Sequence, residues 1–436
     1  MSLTRRRFLE TSLFAGATSM MASRLAFASA NTDSRFVFVL LRGALDGLNA
    51  VPPIGDADYA GLRGPIAIAK SGAGAALPLT ADFGLHPALT FLHRSFAARE
   101  LAVLHAVATP YRERSHFDAQ NVLESGDNRP QGSASGWINR ALNSLPAGKS
   151  SAGRSREAGV ALGANVPLAM RGPAEVASWS PTKIAALDES TLARITDLYA
   201  RDPLLAQRLG DALESDAIAM EAQKAAEAEA QADAQADAQA DGEAAPMMST
   251  TDVVTQDAST KRNYNARYAE TARAAAGFLK REDGPRVAMF DTSGWDTHAN
   301  QGGDIGQLAL RLRGLDAALE SLKDSLGPVW RKTVVLVATE FGRTAAVNGT
   351  RGTDHGTGAA AFLLGGAVSG GRVIADWPGL SYANLLENRD LKPTRDLRSV
   401  IKGVLGDHLG VSSAALESTV FPGSASARPL AGLVRG

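Results

Sequence analysis

"RVAMFDTSGWDTHANQ" (residues 286–301) runs from an apolar segment straight into a loop carrying Asp291, Asp296 and His298, and a second apolar segment, "TVVLVAT" (333–339), follows. Between them Ile305, Leu308, Leu312, Leu315, Leu319, Leu322 and Leu326 recur at three- and four-residue steps, which puts them on one face of a helix. Strand, helix, strand is a βαβ unit, with a right-handed crossover expected. "RFVFVLLR" (35–42) and "ELAVLHAV" (100–107) are apolar runs of the same kind, as strands buried on both faces show. The expected fold is therefore α/β, a three-layer αβα sandwich around a mostly parallel sheet.

The first thirty residues stand apart. "TRRRFLE" precedes an uncharged stretch, and "AFASA" ends at Ala30, giving a basic region, a short apolar region and a small-residue cleavage site. The paired arginines before Phe8-Leu9 resemble a twin-arginine export signal. Residues 1–30 are read as a leader handed to the twin-arginine export machinery, and 31–436 as one domain in the periplasm or outside the cell. Four arginines and one glutamate leave with the leader, taking the formal net charge from −1 to −4, and nothing in that balance points to nucleic acid. No later run has the length of a membrane helix, so the mature form is not expected to span a membrane. Cysteine is absent, which excludes disulfides and thiolate chemistry. Residues 216–244, with "AEAEAQADAQADAQADGEAA", read as a solvated low-complexity insertion, partly helical and without chemistry.

In open parallel sheets, ligands bind beyond the carboxyl ends of the strands. Asp46 follows the first strand in "GALDGLN", Asp296 and His298 follow the third, and Glu340 and Arg343 follow the fourth in "EFGRT". "GTDHGTG" adds Asp354 and His355 before a further strand, "AAFLLGG". Like charges gathered on one edge call for a cation. A mixed carboxylate and imidazole set suits Zn²⁺ or Mn²⁺ better than Ca²⁺ or Mg²⁺. Each residue also has an ordinary reading: Asp46 as a turn residue, Glu340 as a helix cap, Asp354-His355 as a hairpin turn. Ser115, with Asp118 three residues on, reads either as a helix cap or as a nucleophile. His116 beside it is a ligand, a general acid or a packed ring. His86, His93, His105 and His408 are assigned to a loop, a helix, a strand and a helix.

Taken together, "LLRGALDGLN", "SHFDAQ", "GWDTH", "ATEFGRT" and "DHG", in this order after the leader, resemble the exported bacterial proteins grouped as the domain of unknown function 1501 family. That resemblance implies kinship with the alkaline phosphatase-like superfamily, which includes sulfatases and sugar-phosphate mutases with two metals at the carboxyl edge of an αβα sheet. By the same resemblance Asp46, Asp296, His298, Glu340, Asp354 and His355 would be metal ligands, for one or two divalent ions. Ser115 and His116 would be catalytic, and Arg343 would hold an anion's oxygens. The expected activity is hydrolysis of phosphate or sulfate esters on an anionic small molecule or a polysaccharide. Glu340-Phe341-Gly342 replaces the superfamily's Asp-His-Gly, which favours the alternative of a non-catalytic, metal-stabilised binding or assembly protein.

Overall fold

A computed structural model describes residues 33–145, 158–180, 189–199, 202–240, 255–282 and 284–435. The leader and the last residues of the insertion, 241–244, lie outside the described residues.

The strands are β1 (Arg35–Leu41), β2 (Leu77–Pro78), β3 (Gly84–Leu85), β4 (Leu101–Ala108), β5 (Gly159–Leu162), β6 (Val176–Trp179), β7 (Val287–Thr292), β8 (Thr333–Thr339), β9 (Ala359–Leu364), β10 (Arg372–Ile374) and β11 (Arg395–Asp396). All but the small β2–β3 hairpin join one sheet, in the order β10-β4-β9-β8-β1-β7-β5-β6, with β11 also on β4. Every pairing is parallel except those of β9, which runs antiparallel to both β4 and β8. The fold is thus α/β with a large, mostly parallel sheet. β1 lies between β7 and β8, with Leu41 in register with Thr292 and Thr339, so three adjacent strands end level with one another.

Burial follows the pleat. All seven residues of β1 are buried. Phe36, Phe38 and Leu40 pack on one face with Trp137, Val400 and Val404, whereas Val37, Val39 and Leu41 pack on the other with Leu308, Leu312 and Phe278. Successive side chains of a strand alternate sides, so a run apolar at every position needs helices on both faces. Helices Gln307–Leu326 and Thr255–Lys280 cover one face; Trp137–Asn143 and Leu397–Leu409 cover the other.

The leucine stripe of 308–326 is fully buried, each residue contributing roughly 2 kcal/mol. Ile305 departs from the expectation. It precedes the helix, which begins at Gln307, and is 73 % exposed. The insertion begins inside a long helix, Pro203–Ala240, whose Ser215, Ile218 and Ala219 are buried. Its early part is therefore a packed element rather than a solvated one. None of the described helices is long and apolar enough to cross a membrane.

Candidate metal centre

Three loops leave the level carboxyl ends of β1, β7 and β8, and a fourth segment reaches them from β4. After β1 the chain turns through Gly43 at φ +114°, where a Cβ would stand 2.7 Å from the Asp296 backbone nitrogen. Only glycine allows that approach. The loop after β7 is tied to the segment 350–353 by Thr353 N–H donating to Thr297 O (3.1 Å) and Gln301 N–H to Arg351 O (3.0 Å). The loop after β8 folds back on itself through an antiparallel bridge between Arg343 and His355. These ties bring Asp296, His298 and His355 together, and the helix His116–Ser125 adds its first residue.

The donor atoms converge. His355 Nε2 lies 2.9 Å from His116 Nε2 and 3.0 Å from His298 Nε2. Asp296 Oδ1 lies 3.0 Å from His298 Nε2 and 3.4 Å from His355 Nε2, and its Oδ2 lies 3.5 Å from His116 Nε2. Among the described residues, His116, Asp296 and His355 form a set whose ligand atoms all lie within 4.8 Å of one another, and His298 stands outside it. Tetrahedral ligands of a zinc-sized ion stand about 3.3 Å apart.

The far side of each ring is engaged by an oxygen. His116 Nδ1 donates to Glu340 Oε1 (2.8 Å), His298 Nδ1 to Asp354 Oδ1 (3.2 Å), and His355 Nδ1 to the Arg114 carbonyl (3.0 Å). Carboxylates and carbonyls only accept, so each neutral ring carries its proton on Nδ1 and turns a lone pair inward at Nε2. Lone pairs and a carboxylate this close repel unless a proton or a metal cation joins them. Metal-binding histidines are oriented from behind in this same way. The residues that fit a divalent cation are His116, Asp296 and His355, with His298 as a further donor beside Asp296 and His355.

Glu340, expected as a ligand, stands one layer back. It is buried, and its Oε1 accepts from Gly43 N–H (2.8 Å) and Gln120 Nε2 (3.0 Å) as well as from His116. Burial works to raise its pKa, but these hydrogen bonds hold the carboxyl below its usual range. The bond to Glu340, against the cost of burial, raises the pKa of His116. Burial lowers that of His355, and the neighbouring His116 adds to the effect. Asp354 also supports from behind: a hydrogen bond from Asn348 Nδ2 (3.0 Å), followed by that from His298, lowers its pKa.

Asp46 is likewise committed elsewhere. It is buried, ion-paired with Arg63, accepts from Gln301 Nε2 (2.6 Å), and caps the short helix Gly47–Ala50. Arg343, expected to hold an anion, is buried with its donors on Asp296 and on Thr353. Burial would raise the Asp296 carboxyl, but Arg343 together with His298 and His116 leaves it below the usual value. Ser115 is the first residue before the helix by backbone geometry, yet its side chain makes no capping bond, and Asp118 instead accepts from Tyr111 Oη (3.3 Å). The capping box does not form.

The cluster is open to solvent, with side-chain exposures of 45 % for His298, 37 % for Asp296, 27 % for His355 and 23 % for His116. Behind it, Arg42 binds Gln120 Oε1 (2.8 Å), Glu124 Oε1 (2.8 Å) and Asp291. His116, Gln120 and Glu124 are spaced i, i+4, i+8 on one helical face, a signal present in "SHFDAQNVLES" that the sequence reading passed over. Arg63 and Arg114 had no such signal.

Residues 33–420 match the model of a family described as a protein of unknown function (DUF1501). No curated protein and no solved structure matches the chain.

Proposed function

The chain belongs to the DUF1501 family, and we propose that it is a metal-dependent hydrolase of phosphate or sulfate esters, delivered by the twin-arginine route to the periplasm or beyond. The observation that carries the reading is the convergence of three imidazole Nε2 atoms and one carboxylate, each ring held from behind by an oxygen. The position beyond the carboxyl ends of a mostly parallel sheet, together with the leader, supports kinship with the alkaline phosphatase-like superfamily.

One ion, zinc or manganese, fits this donor set better than two, because Asp46 is paired with Arg63 and Glu340 serves His116. A divalent cation held there supplies positive charge for an ester's oxygens and lowers the pKa of a hydroxyl nucleophile. Asp296 is ion-paired with Arg343, which orients its carboxylate toward the imidazoles. Ser115, next to His116 in sequence, would supply the nucleophilic hydroxyl, with a water from the open side as the other source.

A second reading, a metal-stabilised binding or assembly protein, is favoured by one observation: Arg343 has its guanidinium buried and engaged, so it offers no clamp to a phosphoryl or sulfuryl group. Zinc- and manganese-loaded protein assayed on p-nitrophenyl phosphate and p-nitrophenyl sulfate separates the two. Metal-dependent turnover that His298→Ala abolishes supports the hydrolase. Stoichiometric metal with no turnover of either ester supports the binding protein.

A further inference from the structure

Beside the cluster lies a groove of about 520 Å³, within the roughly 300–1,000 Å³ of small-molecule sites. Asp354 is the shared wall, accepting from His298 on one side and lining the groove on the other. Buried Leu380 and Leu385 and the 71 % exposed Tyr382 give the groove its apolar lining. The segment carrying them is anchored: buried Asp390 accepts from Arg114 Nε (2.8 Å), Arg389 Nη1 (2.9 Å) and Thr357 Oγ1 (2.8 Å). Two consecutive non-glycine residues, Glu387 and Asn388, have φ of 54° and 55°. They form the two central positions of a tight turn closed by Arg389 N–H donating to Leu386 O (3.1 Å).

The polar atoms of the groove divide into two kinds. Asn348 is saturated by Thr350, Gly352, His298 and Asp354, whereas Arg389 gives Nη1 to Asp390 and keeps its remaining N–H groups on the exposed side. Among the described residues, the side chains of Asp58, Tyr382 and Asn388 have no hydrogen-bond partner within the protein. The groups left open are thus a carboxylate, a phenol, an amide and the outer edge of the Arg389 guanidinium, whose charge is already met by Asp390. With Asp58 and Asp354 in the wall and Arg389 paired with Asp390, the groove carries no net positive charge for a phosphate or sulfate. A sugar ring presents a face of C–H groups to an aromatic or leucine surface and an edge of hydroxyls that both donate and accept, which an amide and a carboxylate can meet.

We infer that this groove binds an uncharged sugar residue, so that the substrate is a saccharide whose ring packs on the apolar lining of Tyr382 and the leucines while its ester group reaches the cluster past Asp354. The substrate assignment rests on the hydrolase reading; the sugar site itself does not. The test is calorimetric titration of the full chain, metal-loaded and after EDTA, with a neutral gluco-oligosaccharide, a chito-oligosaccharide and an oligogalacturonate. Wild type should bind at least one neutral oligomer with or without metal and should discriminate against the oligogalacturonate. Tyr382→Ala should weaken neutral binding about tenfold, with its melting temperature unchanged because Tyr382 is exposed. No binding of either neutral oligomer, equal binding of the oligogalacturonate, or an unaffected Tyr382→Ala would overturn the inference. Sugar binding without ester turnover would overturn only the hydrolase reading, and ester turnover without sugar binding only this one.

Discussion

Glu340 Oε1 lies 2.8 Å from His116 Nδ1, and the same oxygen takes hydrogen bonds from the Gly43 backbone and from Gln120. A carboxylate placed there fixes both the tautomer and the direction of the ring it faces. Replacing Glu340 with Gln keeps the shape but removes the charge that holds the proton on Nδ1. Metal affinity should fall about ten- to a hundredfold, read by competition with a chromogenic chelator. An unchanged affinity would show that His116 needs no support from behind.

The pairing of Asp46 with Arg63 makes a separate prediction. Arg63 is fully buried, and besides Asp46 it binds Asn49 Oδ1 (3.1 Å) and the carbonyls of Thr344 (3.0 Å) and Ala345 (3.3 Å). Arg63→Ala leaves a buried carboxylate uncompensated and should cost about 3–5 kcal/mol in urea denaturation. Asp46→Asn should cost less and leave the metal content unchanged. Metal lost from Asp46→Asn would restore Asp46 as a ligand.

Acid should destabilise the fold through its buried histidines. Burial lowers the pKa of His105 to about 4, its Nε2 lying 3.1 Å from Val51 O and its Nδ1 accepting from Ala106 N–H. Unfolded imidazole takes up a proton near pH 6.5, whereas the folded ring does so only near pH 4. Stability from this site is therefore complete above pH 6.5 and is lost as pH falls toward 4, by roughly 3 kcal/mol. Urea melts at pH 7 and pH 4.5 should show a smaller acid loss in His105→Gln than in wild type. Equal losses would contradict this account.

Much of the sheet was legible because burial on both faces leaves unbroken apolar runs, as in β1 and β8, and because helical burial leaves a leucine stripe. The direction of β9 was not, since "AAAFLL" reads alike in a parallel or an antiparallel strand. The position of Asp296 and His298 beyond the end of a strand was legible from the apolar run before them. The sequence leaves His116 open between ligand, general acid and packed ring; its place in the cluster depends on the loop from Thr109 to Ser115 crossing to His355, which no local pattern encodes. The partners of Asp46 and Arg343 lie 17 and 47 residues away. Pairings at that range are set by the tertiary fold, so an acid waiting for a metal and an acid already paired look the same in sequence.

The insertion divides at its packed end. Ile218 and Ala219 are buried, and Gln223 accepts from Arg273 Nε (3.0 Å). Deleting 226–244 across a short Gly/Ser bridge should leave the melting temperature nearly unchanged. Deleting 216–244 should lose roughly 2–4 kcal/mol, the scale of removing one buried Ile and its neighbours. Differential scanning calorimetry of the two deletions distinguishes them, and equal stability would show that the buried turn adds nothing.

The central claim is that His116, His298, His355 and Asp296 hold one divalent cation. Elemental analysis of the protein folded with zinc and desalted measures it most directly, alongside His116→Ala, His298→Ala and His355→Ala. The account predicts about one zinc per chain in wild type and little in each variant, with EDTA lowering the melting temperature of wild type far more than that of the variants. Wild type without stoichiometric metal, or His355→Ala binding as much as wild type, would contradict it.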